Sequence, residues 1–171
     1  ITQEALGMIE GVDFLKDAKS CVLHSPDWHK GVVGIVASRV IETYYRPTII
    51  LTSDGATASG SARSVKGFDV YNAINACQDM ITQFGGHKYA AGLTLPTENI
   101  NSFREKFEEA VASTITEEQL TQNIEIDAAL TLNEITPKFY RILEQLAPFG
   151  PQNMRPVFVT TGVLDTGYSK T

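Results

Sequence analysis

The 171-residue chain is 43% hydrophobic and carries 20 acidic against 14 basic side chains, which gives a net charge of −6. This composition is that of a globular protein with enough apolar residues for a well-packed core, and the charge excludes a general polyanion-binding coat. No apolar run reaches the length of a membrane span and the first residues lack a signal-peptide pattern, so we expect a cytoplasmic protein without membrane contact.

The first two thirds of the sequence alternate between helical and strand patterns. Residues 1–19 have apolar side chains at roughly helical spacing, and we interpret them as the end of a helix arriving from upstream in a longer protein. Residues 20–115 then form the main predicted domain. Its elements are a strand at 21–24, a helix at 30–45, a hairpin with strands at 48–52 and 56–64, a helix at 68–81, a glycine-rich turn, a strand at 90–95 and a helix from 97 or 99 to about 113. Such alternation is typical of an α/β fold in which helices pack on a mixed sheet.

The pattern changes in residues 116–171, which we interpret as a connection and the start of another unit. The predicted elements there are a strand at 123–128, a helix at 136–146, a rigid loop at 147–153 and a strand at 157–160. The two cysteines of the chain, Cys21 and Cys77, lie far apart and match no metal-binding spacing. We expect both to be reduced, buried thiols.

Charge is distributed unevenly along the chain. Residues 28–94 contain six basic and four acidic side chains, a net charge of +2, whereas the remainder carries −8. Three glycine-containing clusters lie within this positive region, and a local anionic ligand fits that asymmetry.

The first cluster is the stretch 28–39, which contains Trp28, His29, Gly31, Gly34 and Arg39. It opens a predicted helix, and a helix N-terminus presents unpaired N–H groups and a positive dipole end to which phosphate binds. The alternative is structural. The glycines would allow tight packing of the helix on the sheet, Trp28 would be a core aromatic, and Arg39 would pair with a nearby glutamate.

The second cluster, residues 60–64, lies on a predicted strand of small residues. Ser61 and Arg63 would point to the same face of that strand. A hydroxyl and a guanidinium at this spacing suit a phosphate group, because arginine binds phosphate with two N–H groups and serine donates one more hydrogen bond. The structural alternative is that Arg63 is a solvent-exposed edge residue, but its small neighbours favour a binding role.

The third cluster contains Gly85, Gly86 and His87, which predict a turn that holds an imidazole beside exposed N–H groups. The alternative is a tight helix-to-strand connection. His87 could act as a general acid, a metal ligand or a phosphate donor. The chain has no Asp and His cluster of the kind that binds two metal ions, and no nucleophile–base pair stands out. We therefore expect a binding surface, in which Arg63 and His87 share one open face of the sheet, without catalytic residues.

The clusters, in this order and spacing, resemble the DHH-associated domain of the RecJ family of single-strand-specific 5′→3′ exonucleases, within the DHH phosphoesterase superfamily. The similar stretches are residues 28–39, 45–47, 60–64 with 67–69, and 84–87 with 90–92, and residues 146–153 resemble the join to the OB-fold domain of that family. One departure is Gln152, at a position before Asn153 where the family usually carries a glycine.

The resemblance implies a DHH-associated domain at 20–115 and the start of an OB-fold-like domain within 116–171. In that family, two manganese or magnesium ions are held by a separate DHH domain of the same chain, and the DHH-associated domain faces them across a cleft and grips single-stranded DNA during repair and recombination. This chain alone is then expected to hold no cofactor and to be inactive. The contacts implied for it fall on Ser61, Arg63, Gly85, Gly86 and His87, with His29 and Arg39 as further members.

Two other functions stay open at this point. One is a phosphoesterase of the same superfamily that acts on short oligonucleotides or cyclic dinucleotides, against which the 146–153 stretch counts. The other is a non-enzymatic RNA-binding module, since related domains are appended to alanyl-tRNA synthetases. The Trp28-His29 pair counts against this second function.

Overall fold

The computed structural model describes residues 1–11, 15, 17–164 and 167. The chain divides into two compact units, Ile1–Gln122 and Asn123–Thr171. In the part of the chain that the structure describes, no helix is long and apolar enough to cross a membrane.

A five-stranded mixed sheet forms the centre of the first unit. Its strands are β1 (Cys21–His24), β2 (Thr48–Asp54), β3 (Thr57–Arg63), β4 (Gln83–His87) and β5 (Ala90–Pro96). They lie in the order β1-β2-β3-β5-β4, with β1 parallel to β2 and the other neighbours antiparallel. The predicted hairpin of β2 and β3 is confirmed, and Gly55 turns the chain between them with a φ of 60°. The mixed α/β fold expected from the sequence is therefore present.

Helices cover the two faces of this sheet unequally. They are α1 (Thr2–Glu10), α2 (Val33–Tyr44), α3 (Val70–Asn75), α4 (Ile100–Ala112) and the short α5 (Glu117–Leu120). On one face α3 and α4 pack over apolar side chains from all the strands, including Val22, Ile49, Ala62 and Leu93. On the other face α1 and α2 pack mainly over the β1–β2 side, where Leu23 and Ile50 are buried, and α2 also contacts β3.

Beyond the start of α2, which reaches Ser61 and Arg63 of β3, this arrangement leaves the β3–β5–β4 side of the second face open to solvent. Side chains alternate between the two faces of a sheet, and directly paired residues of antiparallel strands project to the same face. The strand register therefore assigns one set of residues to what we call the open face: Ser59, Ser61 and Arg63 of β3, Ala90, Gly92 and Thr94 of β5, and Gln83, Gly85 and His87 of β4. All of them are half-buried or exposed.

Three elements of the first unit differ from the sequence prediction. The helix predicted at 68–81 ends at Asn75 and is followed by a 3₁₀ turn at Gln78–Met80, because Asn72, Asn75 and Asp79 are weak helix formers. The predicted turn at 85–87 is wrong: these residues belong to strand β4, and the turn lies at Lys88 and Tyr89. Helix α2 also begins at Val33, after Gly31.

The second unit contains β6 (Ala128–Ala129), α6 (Pro137–Glu144) and β7 (Phe158–Val159), with β6 and β7 parallel. The strand predicted at 123–128 is wrong for residues 123–127, since Ile124 and Ile126 are both exposed and the alternating pattern has no buried face to occupy. Thr136 caps α6 by accepting a hydrogen bond from the N–H of Phe139. The ends of the helix and of the last strand thus lie within one or two residues of those predicted.

Candidate functional site

A serine and an arginine on β3 form the centre of the open face. Arg63 Nη1 donates hydrogen bonds to Ser61 Oγ at 2.6 Å and to the carbonyl oxygen of Ala62 at 2.8 Å. Both side chains are half-buried, and Arg63 forms no ion pair with a carboxylate among the described residues. The guanidinium is therefore held in place while its positive charge stays uncompensated.

The start of helix α2 lies against this pair. A Cβ atom built on Gly34, the second residue of the helix, would come within 2.8 Å of Arg63 Nη2 and 3.3 Å of Ser61 Oγ. The N–H groups of Ile35 and Val36 already donate to the carbonyl oxygen of Val32, so only the first two N–H groups of the helix can face a ligand, and the helix dipole places partial positive charge at that end. The helix end and the guanidinium together favour an anion on this part of the open face.

His87 lies on the same face as Arg63, two strands away. Arg63 pairs with Ala90 across β3 and β5, and Ala90 pairs in turn with His87 across β5 and β4. At a strand spacing of about 4.8 Å, the Cα atoms of Arg63 and His87 are roughly 10 Å apart. His87 Nδ1 accepts a hydrogen bond from the N–H of Tyr89 at 3.3 Å, so the neutral ring carries its proton on Nε2. The exposed ring can then donate from Nε2 to a ligand.

The two adjacent glycines of β4 have different structural roles. Gly86 has a φ of 153°, and a Cβ atom there would lie 2.3 Å from the carbonyl oxygen of Ala90. Only glycine fits at that position, because β4 and β5 approach closely. A Cβ atom on Gly85 would meet nothing within 4 Å and would project from the open face. Gly86 therefore shapes the strand pair, and Gly85 keeps the face clear.

His29 and Arg39 lie apart from the Ser61–Arg63 pair. His29 is exposed in the loop before α2, where its Nδ1 accepts a hydrogen bond from the N–H of Gly31 at 3.1 Å. Arg39 pairs with Glu42 at 2.8 Å on the surface of α2. It follows Gly34 by five residues, which places it about 140° round the helix from the side that meets Arg63.

Trp28 holds the loop that carries His29 and Lys30. The indole is 3% exposed, and its Nε1 donates to the Glu4 carboxylate of α1 at 2.9 Å. The carbonyl oxygen of Trp28 accepts a hydrogen bond from Thr52 Oγ1 at 2.6 Å. Trp28 is therefore the core aromatic that the sequence suggested, and its contacts fix the loop beside the open face.

Sequence reasoning missed one part of the open face. Next to the Ser61–Arg63 pair is a depression of about 290 Å³, lined by Lys30, Ser59, Gly60, Gln83, Phe84, Gly85, Gly92, Leu93 and Thr94. Small and polar residues at alternate strand positions carry no distinguishing signal in a sequence. They become recognisable only when the strand order places β5 between β3 and β4.

The described residues offer no metal centre. No group of three or more His, Cys, Asp or Glu side chains among them could hold a metal ion. The resemblance assigns the manganese or magnesium ions to a separate DHH domain, so it requires no such group on the open face.

Comparisons with known proteins identify the family of the chain. Residues 17–113 match the family model of the DHHA1 domain, and residues 126–169 match that of the RecJ OB domain. The first match spans more than half of the sequence, and the chain belongs to the DHHA1 family. The order of the two domains is that of RecJ, and the chain corresponds to a C-terminal portion of a RecJ protein.

Curated relatives and solved structures show how much of RecJ is represented. The chain is 37% identical over 168 residues to the single-stranded-DNA-specific exonuclease RecJ of Bacillus subtilis, which covers 96% of this chain and 21% of that protein. Identity to RecJ of Escherichia coli is 32%, over 91% of this chain and 28% of that protein. The structure of Thermus thermophilus RecJ in complex with Mn²⁺ superposes with a TM-score of 0.76 at 28% identity, over 93% of this chain and 24% of that one. The chain thus spans about a quarter of the length of the relatives it matches.

Proposed function

We propose that this chain is the nucleic-acid-binding part of a RecJ-like exonuclease that removes nucleotides from single-stranded DNA in the 5′→3′ direction. The open face grips the phosphate backbone, and Arg63 with Ser61 holds one phosphate. His87 and the backbone at Gly85 and Gly86 contact the same strand from β4. His29 lies at the edge of this surface, and Arg39 acts only through the field of its charge.

One observation carries this proposal: the guanidinium of Arg63 is oriented by Ser61 and by a backbone carbonyl, yet no carboxylate neutralises it among the described residues. A positioned and unpaired guanidinium beside a helix start suits a phosphate with two N–H groups. The relatives of this chain are named as single-stranded-DNA-specific exonucleases, which supports DNA as the ligand.

Cleavage requires residues that the described part of this chain does not supply. Two of the similar RecJ structures are complexes with Mg²⁺ or Mn²⁺, and we propose that such ions are held by a DHH domain elsewhere in the full-length protein, opposite the open face. The full-length protein would act in DNA repair and recombination, and the 171-residue chain alone would bind without cutting. Incubation of the chain with Mn²⁺ and 5′-phosphorylated single-stranded DNA tests this, and release of mononucleotides by a clean preparation would contradict it.

The binding role is tested by substitution of Arg63. In a nuclear magnetic resonance titration of the chain with 5′-phosphorylated oligothymidylate, Arg63→Ala weakens binding by about tenfold to a hundredfold, because charge-assisted hydrogen bonds are worth about 1.5–3 kcal/mol. Arg63→Lys keeps the charge and loses the paired donors. We therefore expect its affinity to lie between that of the parent chain and that of Arg63→Ala.

Arg39→Ala is the matched control, since it removes the same charge from the far side of α2. We expect its effect to stay within about twofold. Equal affinities for the parent chain and for a folded Arg63→Ala variant would refute the proposed site. Tighter binding of oligouridylate RNA than of DNA would favour the RNA-binding alternative.

A further inference from the structure

The depression next to the Ser61–Arg63 pair is lined by a row of paired residues that lies parallel to the row of Ser61. Ser59 pairs with Thr94 across β3 and β5, and Thr94 pairs with Gln83 across β5 and β4. This row of three, which we call the outer row, lies two residues along each strand from the row that contains Ser61. Two residues of an antiparallel strand span about 6.8 Å, a repeat comparable to that of successive phosphates along an extended nucleic-acid strand.

The outer row has the chemistry of an anion site with one cation. Ser59 and Thr94 offer hydroxyl groups, Gln83 offers a side-chain amide, and Lys30 contributes an ammonium group from the loop before α2. No acidic residue lines the depression. Within the described part of the chain, none of these four side chains is engaged in a hydrogen bond or an ion pair.

Two glycines, Gly85 and Gly92, belong to the row that contains Ser61, and packing does not explain them. A Cβ atom on Gly85 would meet no atom within 4 Å, and one on Gly92 would meet only the carbonyl oxygen of Gly60 at 3.9 Å. Neither residue has a positive φ. Glycine in a strand lowers stability relative to residues with a side chain, and the fold does not require it here. Glycine at both positions is what close approach of a ligand to the sheet requires.

We propose that the outer row, together with Lys30, is a second phosphodiester subsite, which holds the phosphate next along the strand from the one held by Ser61 and Arg63. The inference rests on the proposed function, because it takes Ser61 and Arg63 as the first phosphate site. Gly85 and Gly92, whose row lies between that of Arg63 and the outer row, let the sugar that joins the two phosphates lie directly on the backbone of β4 and β5.

The test compares two ligands that differ by one phosphodiester, thymidine 5′-monophosphate and 5′-phosphorylated dithymidylate. Both are titrated into the isotopically labelled chain, and affinities are read from the amide signals of Gly85 and Gly92. The dinucleotide binds the parent chain about threefold to tenfold more tightly than the mononucleotide, as expected for a few additional hydrogen bonds. Thr94→Val and Lys30→Ala each remove most of this advantage and leave the affinity for the mononucleotide unchanged.

Thr57→Val is the matched control, since Thr57 lies on the same strand and face as Ser59 but does not line the depression. It leaves both affinities unchanged. If the parent chain binds both ligands equally, or if the dinucleotide advantage survives in the folded Thr94→Val and Lys30→Ala variants, the second subsite is refuted while the proposed function stands. If the parent chain binds neither ligand, the proposed function fails and the second subsite fails with it.

Discussion

Gly34 of helix α2 and Arg63 of strand β3 are in such close contact that a Cβ atom on Gly34 would stand 2.8 Å from Arg63 Nη2. Real Cβ atoms do not approach a neighbour this closely, so a larger residue at position 34 would displace the guanidinium. The helix start and the arginine can therefore share one anion only because residue 34 is glycine. This contact links the first and second sequence clusters through two residues that lie 29 positions apart.

Gly34→Ala is expected to change stability and binding in opposite directions. Alanine has a higher helix propensity than glycine, so the free energy of unfolding stays equal or rises by up to about 1 kcal/mol. The added methyl group pushes Arg63 away from Ser61, and binding of 5′-phosphorylated single-stranded DNA weakens by about threefold to tenfold. Thermal denaturation and a DNA titration of the same preparation measure the two effects. If the variant has a melting temperature at or above that of the parent and binds DNA with the same affinity, the methyl group does not displace Arg63 and the prediction is contradicted.

The adjacent glycines of β4 offer a second contrast. Gly86→Ala forces a Cβ atom to within 2.3 Å of the Ala90 carbonyl oxygen, so pairing of β4 with β5 is disrupted and stability falls by about 2 kcal/mol or more. Gly85→Ala has open space and a normal φ, so stability changes little.

Denaturation by urea measures the stabilities, and a DNA titration shows whether the methyl group on residue 85 obstructs the open face. We expect weaker DNA binding for Gly85→Ala in a protein as stable as the parent. Equal destabilisation by the two substitutions would show that both glycines serve the strand pair alone.

The sequence predicted the secondary-structure elements of the first unit better than their tertiary arrangement. Hydrophobic periodicity and turn residues located β2, β3, β5 and α4, because those signals are local. The glycines at 85 and 86 suggested a turn, since nothing local distinguishes a turn glycine from one that allows close pairing of strands. Ser61 and Arg63 were identifiable as a pair because they share one strand. Lys30, Gln83 and Thr94 were not, since their proximity depends on the strand order.

Burial of the cysteines predicts a decline of stability at alkaline pH. Burial raises the pKa of the Cys21 thiol to about 12 and that of Cys77 to about 11, from an ordinary value of 9.0. Between about pH 9 and pH 12 the unfolded chain loses the Cys21 proton while the folded chain keeps it, so rising pH favours unfolding. The stabilisation from the protonated thiol is complete below pH 9 and is lost progressively above it.

Cys21→Ala isolates this contribution. The variant is less stable than the parent at neutral pH, because a small cavity replaces the sulfur atom, but its stability falls less steeply between about pH 9 and about pH 10.5. Urea denaturation at several pH values measures both slopes, and Cys77→Ala, at the thiol with the smaller shift, flattens the decline less. If stability falls with pH equally steeply in the parent and in both variants, ionisation of the buried thiols is not the cause of the decline.

The departure at Gln152 has a structural consequence that can be tested. Gln152 has a φ of 70°, in the left-handed region where a side chain costs roughly 1 kcal/mol and glycine does not. The residue is exposed, so its side chain contributes no burial to offset that cost. The loop closes around it through reciprocal backbone hydrogen bonds between Gly150 and Asn153, each of 2.9 Å.

We therefore expect Gln152→Gly to stabilise this loop by up to about 1 kcal/mol. Amide hydrogen exchange at Gly150 and Asn153 measures the effect, because opening of the loop breaks both bonds, and exchange slows by up to about fivefold in the glycine variant. Gln152→Ala keeps the Cβ atom and serves as the matched control with unchanged exchange. Faster exchange in Gln152→Gly would mean that the backbone freedom of glycine outweighs the relief of strain, and slower exchange in both variants would assign the effect to the glutamine side chain instead.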